Sequence, residues 1–339
     1  MNNTRISKLI AASILLCLLV VTGQAEAKEL IFHLGYELVQ VLDADTDEVV
    51  ADIPVAGFCR EAAYSADKKF MYVTAKRHLI HKIDVQTLKL VKTIDLNQDG
   101  WQRFIYGFIL ADDGKSAYVS IMTRKTEAGD VVLKEPAVAQ IDLENGRIIR
   151  NVEVPWGVSG LVAVKEGQMI YAVGKDIYKI DATQKELKVV DTYSMFDKEI
   201  NILPLWPYSQ ENGGVFMSPY YTSKFMGLLS IDARNGEIGE TPIKGEMVMA
   251  YNAIYSPDKT KAYAIMDELN VIDLKSNTVV KIVPINEGTS YGVIPTNDGK
   301  KIFVGAGGPT ISVFDAETMK VIKVLQMETD GWAMYKITL

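Results

Sequence analysis

The stretch Ser256-Pro257-Asp258-Lys259, followed by Tyr263-Ala264-Ile265 and Ile272-Asp273, is one copy of a unit that recurs along this chain. The first four residues predict a tight turn, because Asp side chains bond their own backbone there. Two β-rich segments follow, and the second ends in an apolar residue, an Asp and another polar turn. This order predicts short antiparallel strands joined by hairpins.

The apolar-Asp step that ends the unit occurs seven times. Successive Asp residues lie 41, 58, 39, 51, 41 and 42 residues apart. These distances match the roughly 40 to 50 residues of a four-stranded propeller blade, and strong helical periodicity occurs nowhere. The sequence therefore predicts an all-β, seven-bladed β-propeller, with an eight-bladed or open arrangement as the alternative. The copies are Leu42-Asp43, Ile83-Asp84, Ile141-Asp142, Ile180-Asp181, Ile231-Asp232, Ile272-Asp273 and Phe314-Asp315.

The two ends of the domain predict how the ring closes. Leu30 to Leu34 has the pattern of a second strand, with no inner strand before it, whereas Trp332 to Ile337 has the pattern of an inner strand with nothing after it. We expect the C-terminal strand to complete the first blade and to cover an edge that would otherwise invite aggregation.

The first 27 residues have the pattern of a signal peptide. Arg5 and Lys8 precede an uncharged apolar run from Leu9 to Val21, and Ala25-Glu26-Ala27 supplies the small-x-small cleavage pattern. A membrane anchor is the alternative, but it needs about 20 apolar residues. The sequence therefore predicts a signal peptide over 1–27 and a propeller over 28–339.

Composition limits the partners and the redox chemistry of the chain. The formal net charge of −7 leaves no basic surplus to neutralise a phosphate backbone, which disfavours nucleic-acid binding. Once the signal peptide with Cys17 is removed, Cys59 has no partner for an internal disulfide. We expect Cys59 to be a small buried residue, with an intermolecular bond as the alternative.

Catalytic and metal-binding signatures are mostly missing. There is no Cys-x-x-Cys-His motif for covalent haem and no Gly-x-Ser-x-Gly elbow. The histidines, His33, His78 and His81, are expected to be surface residues rather than ligands. Asp95-x-Asn97-x-Asp99-Gly100 copies the start of a calcium loop, but Tyr106 stands where a bidentate Glu is needed, and a plain Asx-rich turn is the alternative. No catalytic residue and no metal site is predicted.

One aromatic residue lies just before each expected inner strand. The connections there open on the usual ligand or partner face of a propeller, so these rings predict an amphipathic docking surface. Packing in the channel or between blades is the alternative. Two long segments, 121–139 and 193–212, are expected to project from the same face. The aromatic residues are Phe58, Trp101, Trp156, Trp206, Tyr251, Tyr291 and Trp332.

The segment LPLWPYSQENGGVFMSPYYT at positions 203–222 resembles the beta chain of quinohaemoprotein amine dehydrogenase, a YVTN-type propeller. The resemblance continues through GLLSID at 227–232, SPDKTKA at 256–262 and DAETM at 315–319. It extends more weakly over the whole of 28–339.

This resemblance implies a bacterial periplasmic heterotrimer that oxidises primary amines to aldehydes and ammonia. It implies a small gamma chain with cysteine tryptophylquinone, an alpha chain that is a dihaem cytochrome c, and a beta chain without a cofactor. No catalytic residue of the family matches a residue here. We hypothesise that Trp206, Tyr208, Tyr220 and Tyr221, with the other aromatic residues, wall the substrate pocket or the small-chain interface.

Two other functions stay open. A stand-alone propeller lactonase needs His, Arg or carboxylates that converge over the channel. Arg60 and Arg103 lie near the expected inner strands, so a lactonase is one alternative function. An exported surface-binding or adhesion propeller needs no redox partner. Fold alone does not separate these functions.

Overall fold

The computed structural model describes residues 28–203, 212–286, 288–305 and 307–339. The predicted signal peptide, Trp206 and Tyr208 lie outside the described residues. Regular structure in the described ranges is almost entirely β, with two short 3-10 turns at Glu166–Gln168 and Phe196–Lys198. None of the helical segments described is long and apolar enough to cross a bilayer.

The strands form one six-stranded sheet and five four-stranded sheets across the described ranges. Sheet 1 has the order β26-β1-β2-β3-β4-β5, so it contains both ends of the domain. Its strands are β1 (Glu29–Asp43), β2 (Glu48–Tyr64), β3 (Phe70–Ala75), β4 (Leu79–Asp84), β5 (Lys89–Asp95) and β26 (Gly331–Thr338).

In sheets 2 to 6 the strands pair in chain order, each antiparallel to the next. Sheet 2 contains β6 (Gln102–Leu110), β7 (Ser116–Glu127), β8 (Asp130–Asp142) and β9 (Ile148–Glu153). Sheet 3 contains β10 (Gly160–Val164), β11 (Met169–Val173), β12 (Ile177–Asp181) and β13 (Lys188–Tyr193). Sheet 4 contains β14 (Asn201–Ile202), β15 (Val215–Tyr221), β16 (Met226–Asp232) and β17 (Ile238–Pro242). Sheet 5 contains β18 (Asn252–Tyr255), β19 (Lys261–Ile265), β20 (Glu268–Asp273) and β21 (Thr278–Pro284). Sheet 6 contains β22 (Gly292–Pro295), β23 (Lys301–Gly305), β24 (Thr310–Asp315) and β25 (Val321–Gln326).

The repeated Asp has a structural reason. All seven copies end a strand, and the Asp carboxylate accepts a hydrogen bond from a backbone N–H two or three residues later. Such Asx turns reverse the chain and start the hairpin to the outermost strand. The acceptor and donor residues are Asp43 and Thr46, Asp84 and Thr87, Asp142 and Glu144, Asp181 and Thr183, Asp232 and Arg234, Asp273 and Ser276, and Asp315 and Thr318.

The predicted all-β propeller is confirmed, but the predicted number of seven blades is wrong, because the structure divides into six sheets. The units that end in Asp43 and Asp84 share sheet 1. Strand β2 is continuous over 17 residues, and its first part pairs with β1 while its last part pairs with β3. The linking residues include Gly57, whose φ is 87°. They stay tied to the sheet, since a ring nitrogen of His81 lies 3.0 Å from the carbonyl oxygen of Ala56.

The C-terminal strand closes the ring as predicted. Strand β26 pairs antiparallel with β1 from Glu29–Thr338 to Gly35–Gly331. The buried ammonium group of Lys336 donates to the carbonyl of Pro295 at 2.6 Å and to Asn297 Oδ1 at 2.7 Å. It also lies 3.5 Å from the carboxylate of Glu29. Strand β26 is thus attached to both sheet 1 and sheet 6.

The hydrophobic core lies between neighbouring sheets. Leu42 of sheet 1 packs in one cluster with Val293 and Phe303 of sheet 6, so the two ends of the sheet series meet. Similar clusters join sheets 1 and 2, 2 and 3, 3 and 4, and 4 and 5. Burying both faces of each sheet is what stabilises a ring of blades.

Cys59 is fully buried and free, as predicted. The expectation of surface histidines is wrong for two of the three, because His33 and His81 are both fully buried. Burial lowers the pKa of His33 to about 4, so its ring is neutral at pH 7.

Candidate functional site

Four of the predicted aromatic residues form one continuous cluster where inner strands begin. The rings of Phe58 and Trp332 meet edge to face at a centroid distance of 5.2 Å. Trp332 and Tyr291 are 4.9 Å apart, and Tyr291 and Tyr251 are 5.1 Å apart. Tyr251 and Tyr291 precede the first strands of the consecutive sheets 5 and 6, whereas Phe58 lies within β2 of sheet 1. Closure of the ring by β26, which carries Trp332, brings Phe58 to the other rings.

A cavity of about 490 Å³ lies beside this cluster. Arg60 belongs to both, because its guanidinium lies over Trp332 at 5.9 Å and it also lines the cavity. The wall contains backbone turns of sheets 1 and 3 and the segment that leads into sheet 4. The lining residues are Arg60, Arg77, Tyr106, Gly157, Ser159, Gly174, Lys175, Met195, Phe196, Ile200, Asn201, Ile202 and Leu203.

The three cations of the cavity are each held against an aromatic ring. This arrangement favours a cation that keeps its position without an ion-pair partner. The pairs, with the distance from cation to ring centroid, are Arg60 and Trp332 at 5.9 Å, Arg77 and Tyr106 at 5.0 Å, and Lys175 and Phe196 at 3.9 Å.

A smaller cavity of about 190 Å³ adjoins the first, and Tyr106 lines both. Trp156 forms part of its wall and is 52% exposed. Strands β7 and β8 supply the opposite wall and continue into a projecting hairpin, in which Val131 and Leu133 are 59% and 57% exposed. We call the surface from Tyr251 through both cavities to Trp156 the aromatic face.

Trp101 lies next to this hairpin. Its ring is contacted by Lys125 at 5.0 Å and Lys134 at 4.2 Å, one from each strand of the hairpin. The nearby guanidinium of Arg124 lies 5.0 Å from the ring of Phe104. The aromatic face is therefore rich in basic side chains, although the chain as a whole has a net charge of −7.

Tyr220 and Tyr221 have structural contacts. Tyr220 is 1% exposed and packs against Phe225 at a centroid distance of 6.2 Å. The hydroxyl of Tyr221 donates to the carbonyl of Ala250 at 3.0 Å and accepts from the backbone N–H of Ala250 at 2.6 Å. Tyr220 is thus a core residue, and Tyr221 ties sheet 4 to the segment before sheet 5. Trp206 and Tyr208 lie outside the described residues.

The segment 121–139 and the described part of 193–212 both reach the cavities. Residues of 121–139 line the smaller cavity, and the described part of 193–212 supplies the apolar wall of the larger one. Phe196, which begins the second 3-10 turn, is 63% exposed. Backbone N–H of Phe196 donates to Asp176 at 3.0 Å and fixes that turn against sheet 3.

Glu61 lies behind the cavity, next to Arg60 on the inner part of β2. It is 4% exposed, and burial raises the pKa of Glu61 to about 8, with Arg60 and the backbone N–H of Phe108 opposing that effect. Burial lowers the pKa of Arg60, which Glu61 opposes and the nearby Arg77 reinforces. Burial thus shifts Glu61 toward its protonated form, which weakens its attraction for Arg60.

Arg103 and the histidines do not join Arg60. The guanidinium of Arg103 donates to the carbonyl of Leu96 and lines a separate surface depression with Asp99 and Arg147. A ring nitrogen of His78 lies 2.8 Å from the carbonyl oxygen of Lys76. In the described part of the chain, Arg103 and the histidines therefore do not contribute to the cavity that Arg60 lines.

The calcium-like segment has the geometry of an Asx turn. The carboxylate of Asp95 accepts from the backbone N–H of Asn97 at 2.8 Å, and the side-chain oxygen of Asn97 accepts from the backbone N–H of Arg103 at 2.7 Å. Tyr106, which stands where a calcium loop needs a bidentate Glu, lines the two cavities. Within the described ranges no three or more His, Cys, Asp or Glu residues are grouped to hold a metal ion.

Sequence reasoning missed Arg77, Tyr106, Lys175 and Phe196 as residues of this site. Arg77 and Lys175 lie in the connections between second and third strands of their units, which open on the same face as the predicted aromatic residues. Basic residues in those connections were a usable signal. Phe196 lies in the long segment 193–212, which was itself a signal, whereas Tyr106 lies inside β6 and carried none.

No protein-family model and no curated protein matches the sequence. Among solved structures, the chain is similar to hydrazine synthase of Kuenenia stuttgartiensis, with 16% identity, a TM-score of 0.56 and coverage of 87% of this chain and 90% of that one. It is also similar to the dihydro-haem d1 dehydrogenase NirN, with 15% identity, a TM-score of 0.60 and coverage of 94% and 78%.

A third similar structure is a 6-phosphogluconolactonase-like protein from Bacteroides fragilis, with 15% identity, a TM-score of 0.59 and coverage of 93% of this chain and 99% of that one. These proteins have different functions. At such identities the similarity shows the β-propeller fold alone.

Proposed function

We propose that this chain is the beta subunit of a periplasmic quinohaemoprotein amine dehydrogenase, which oxidises primary amines to aldehydes and ammonia. In this proposal the chain carries no cofactor. It docks the gamma chain that bears cysteine tryptophylquinone, and the dihaem cytochrome c alpha chain completes the complex. The proposal rests on the sequence resemblance at 203–222 and on one structural observation, the continuous aromatic face.

The aromatic face has the properties of a protein interface. It combines exposed Trp156, the exposed hairpin residues Val131 and Leu133, and arginines held over rings. Trp, Tyr and Arg are the residues that dominate binding energy when a partner buries them. The two concave regions beside them offer the gamma chain a place to insert side chains.

The proposal also gives a role to the smaller cavity. A substrate pocket formed between two chains needs a wall on each chain, and the apolar side chains of Met122, Leu133 and Trp156 would contact the hydrocarbon part of an amine there. The reacting groups would belong to the gamma chain. This chain would then limit the size of the substrate and exclude water.

The first experiment is purification of the chain from its native periplasm. We expect a c-type haem absorbance and a small quinone-staining chain to co-purify with it. A lone chain that hydrolyses lactones would support the lactonase alternative, and a lone inert chain would support the adhesion alternative. Either result would overturn the proposal.

A second experiment tests the aromatic face. We expect Trp156→Ala to weaken association with the gamma chain by about 2 kcal/mol, the loss typical of a buried interface Trp. Ile149→Ala is the matched control, because Ile149 is 57% exposed on the outermost strand of sheet 2. Co-purification of the subunits and analytical ultracentrifugation measure the effect. Equal association of both variants would place the interface elsewhere.

A further inference from the structure

We propose that the larger cavity of the aromatic face is a binding site for a carboxylate attached to an apolar body. The proposal does not depend on the amine dehydrogenase assignment. It follows from how charge and apolar surface are divided over the wall of this one cavity of about 490 Å³.

The charged side chains that the described residues contribute to the wall are all basic. Arg60, Arg77 and Lys175 line the cavity, and no Asp or Glu residue is among the lining residues in the described ranges. Oxyanions bind to such convergent cations, and arginine can donate two parallel hydrogen bonds to one carboxylate. A chain of net charge −7 gains nothing general from this concentration of positive charge, so the cluster points to a specific ligand.

One donor beside the cavity lacks an acceptor. In the described part of the chain, Arg60 Nε is buried without a hydrogen-bond acceptor. Aromatic rings support all three cations from one side. A buried donor without an acceptor is costly, and a bound carboxylate would supply one.

Two acidic side chains lie near the cavity but do not line it. Glu61 is buried behind Arg60, and the carboxylate of Asp176 accepts a hydrogen bond from the backbone N–H of Phe196. Arg60 and Arg77 are like charges on one wall, and like charges repel each other. An anion placed between them removes that repulsion, since each cation then has an opposite charge within reach.

The remaining wall is apolar. Met195, Phe196, Ile200, Ile202 and Leu203 form one side of the cavity. This side would contact a hydrocarbon body while the cations contact the carboxylate. The volume lies within the roughly 300 to 1,000 Å³ of small-molecule sites.

The carboxylate has two sources with the same chemistry. It belongs either to a free small molecule or to an acidic side chain that a partner chain inserts. The first arm of the test therefore uses the isolated full chain and hexanoate, with hexanamide as the uncharged analogue, measured by isothermal titration calorimetry. We expect saturable hexanoate binding at least tenfold tighter than hexanamide binding.

Variants identify the site. We expect Arg60→Gln and Arg77→Gln each to weaken hexanoate binding about tenfold, the loss of one charge-assisted hydrogen bond. Arg234→Gln removes one positive charge from an exposed arginine of sheet 4 that does not line the cavity, and should leave binding unchanged. Circular dichroism spectra of the variants check that they fold.

The second arm measures retention of partner chains by the same variants during purification. If the variants lose their partner chains and the parent chain does not bind hexanoate, the carboxylate belongs to a partner chain. If the parent chain binds hexanoate and the variants retain their partners, the carboxylate belongs to a free ligand. The proposal is overturned if Arg60→Gln and Arg77→Gln change neither hexanoate binding nor partner retention. The first arm measures hexanoate binding to the isolated chain. Its result therefore does not depend on whether the chain is an amine dehydrogenase subunit.

Discussion

The protonation states of several side chains in this protein depend on burial as much as on the chemistry of the side chain. Glu61 and His33 are both titratable and both buried, and desolvation moves the pKa of each toward the neutral form. The same burial raises the pKa of Cys59 to about 12, which keeps that thiol protonated and unreactive. The chain thus keeps three reactive residue types neutral in its interior.

Glu61 makes stability depend on pH in a specific direction. Its pKa rises from 4.5 in the unfolded chain to about 8 in the fold, so the unfolded state loses its proton first. The free energy of unfolding should therefore fall as the pH rises from 4.5 toward 8. We expect Glu61→Gln to remove this fall and to be more stable than the parent at pH 8 by on the order of 3 kcal/mol, with little difference at pH 4.5.

Urea unfolding from pH 4.5 to pH 8.5 measures this effect. Glu48→Gln is the control, because Glu48 is exposed at the start of β2 and should not change the slope with pH. Parallel pH profiles of Glu61→Gln and the parent chain would show that Glu61 is ionised in the folded protein.

At the scale of elements, short polar turns position the strands and side chains fix the sheets to one another. The Asx turns at the repeated Asp residues need only local sequence, and for that reason the sequence predicted them all. Contacts such as those of Lys336 with Pro295 and Asn297 join residues far apart in the chain. No local signal predicts these contacts, because the sequence around Lys336 does not distinguish a buried lysine from an exposed one.

Lys336 should be among the most costly lysines to replace. Its side chain is 7% exposed and lies between sheet 6 and the carboxylate of Glu29. We expect Lys336→Met to lower the free energy of unfolding by about 3 kcal/mol, because it leaves the buried carboxylate of Glu29 without its cation and the carbonyl of Pro295 without the lysine donor. Lys89→Met, at an exposed position on β5, should change it by less than about 0.5 kcal/mol.

Denaturant unfolding of the two variants provides the comparison. Equal stability of Lys336→Met and Lys89→Met would mean that solvent replaces the contacts of Lys336, and that strand pairing alone holds the C-terminal strand.

At the scale of the whole molecule, closure of the ring determines the site. The cluster of Phe58, Trp332, Tyr291 and Tyr251 contains rings from both ends of the sheet series. The cavities lie beside that cluster and use Arg60 of sheet 1 together with Lys175 of sheet 3. An open series of sheets would have the same residues without this arrangement.

Deleting β26 tests the importance of closure. We expect a chain that ends at Asp330 to be largely aggregated, because the edge of β1 and the core side chains packed against β26 become exposed. A chain that lacks only Leu339, which is 48% exposed, should stay soluble and fold cooperatively. Size-exclusion chromatography and thermal unfolding compare the two. A soluble, cooperative chain ending at Asp330 would contradict the closing role of β26.

The sequence by itself determined the all-β class, the hairpin turns, the pairing of the C-terminal strand with the first sheet and the burial of Cys59. These features follow from local turn chemistry and strand patterning, which act over a few residues. It also located the aromatic residues that open the inner strands, because their spacing follows the repeat.

Only the tertiary structure decided the number of sheets, since the continuous course of β2 depends on contacts such as that of His81 with the carbonyl of Ala56. It also decided that Tyr220 is a core residue and that Arg60, Arg77 and Lys175 share one cavity. These outcomes depend on which distant strands become neighbours. Local sequence does not encode that adjacency, because it arises from packing the sheets face to face around a closed ring.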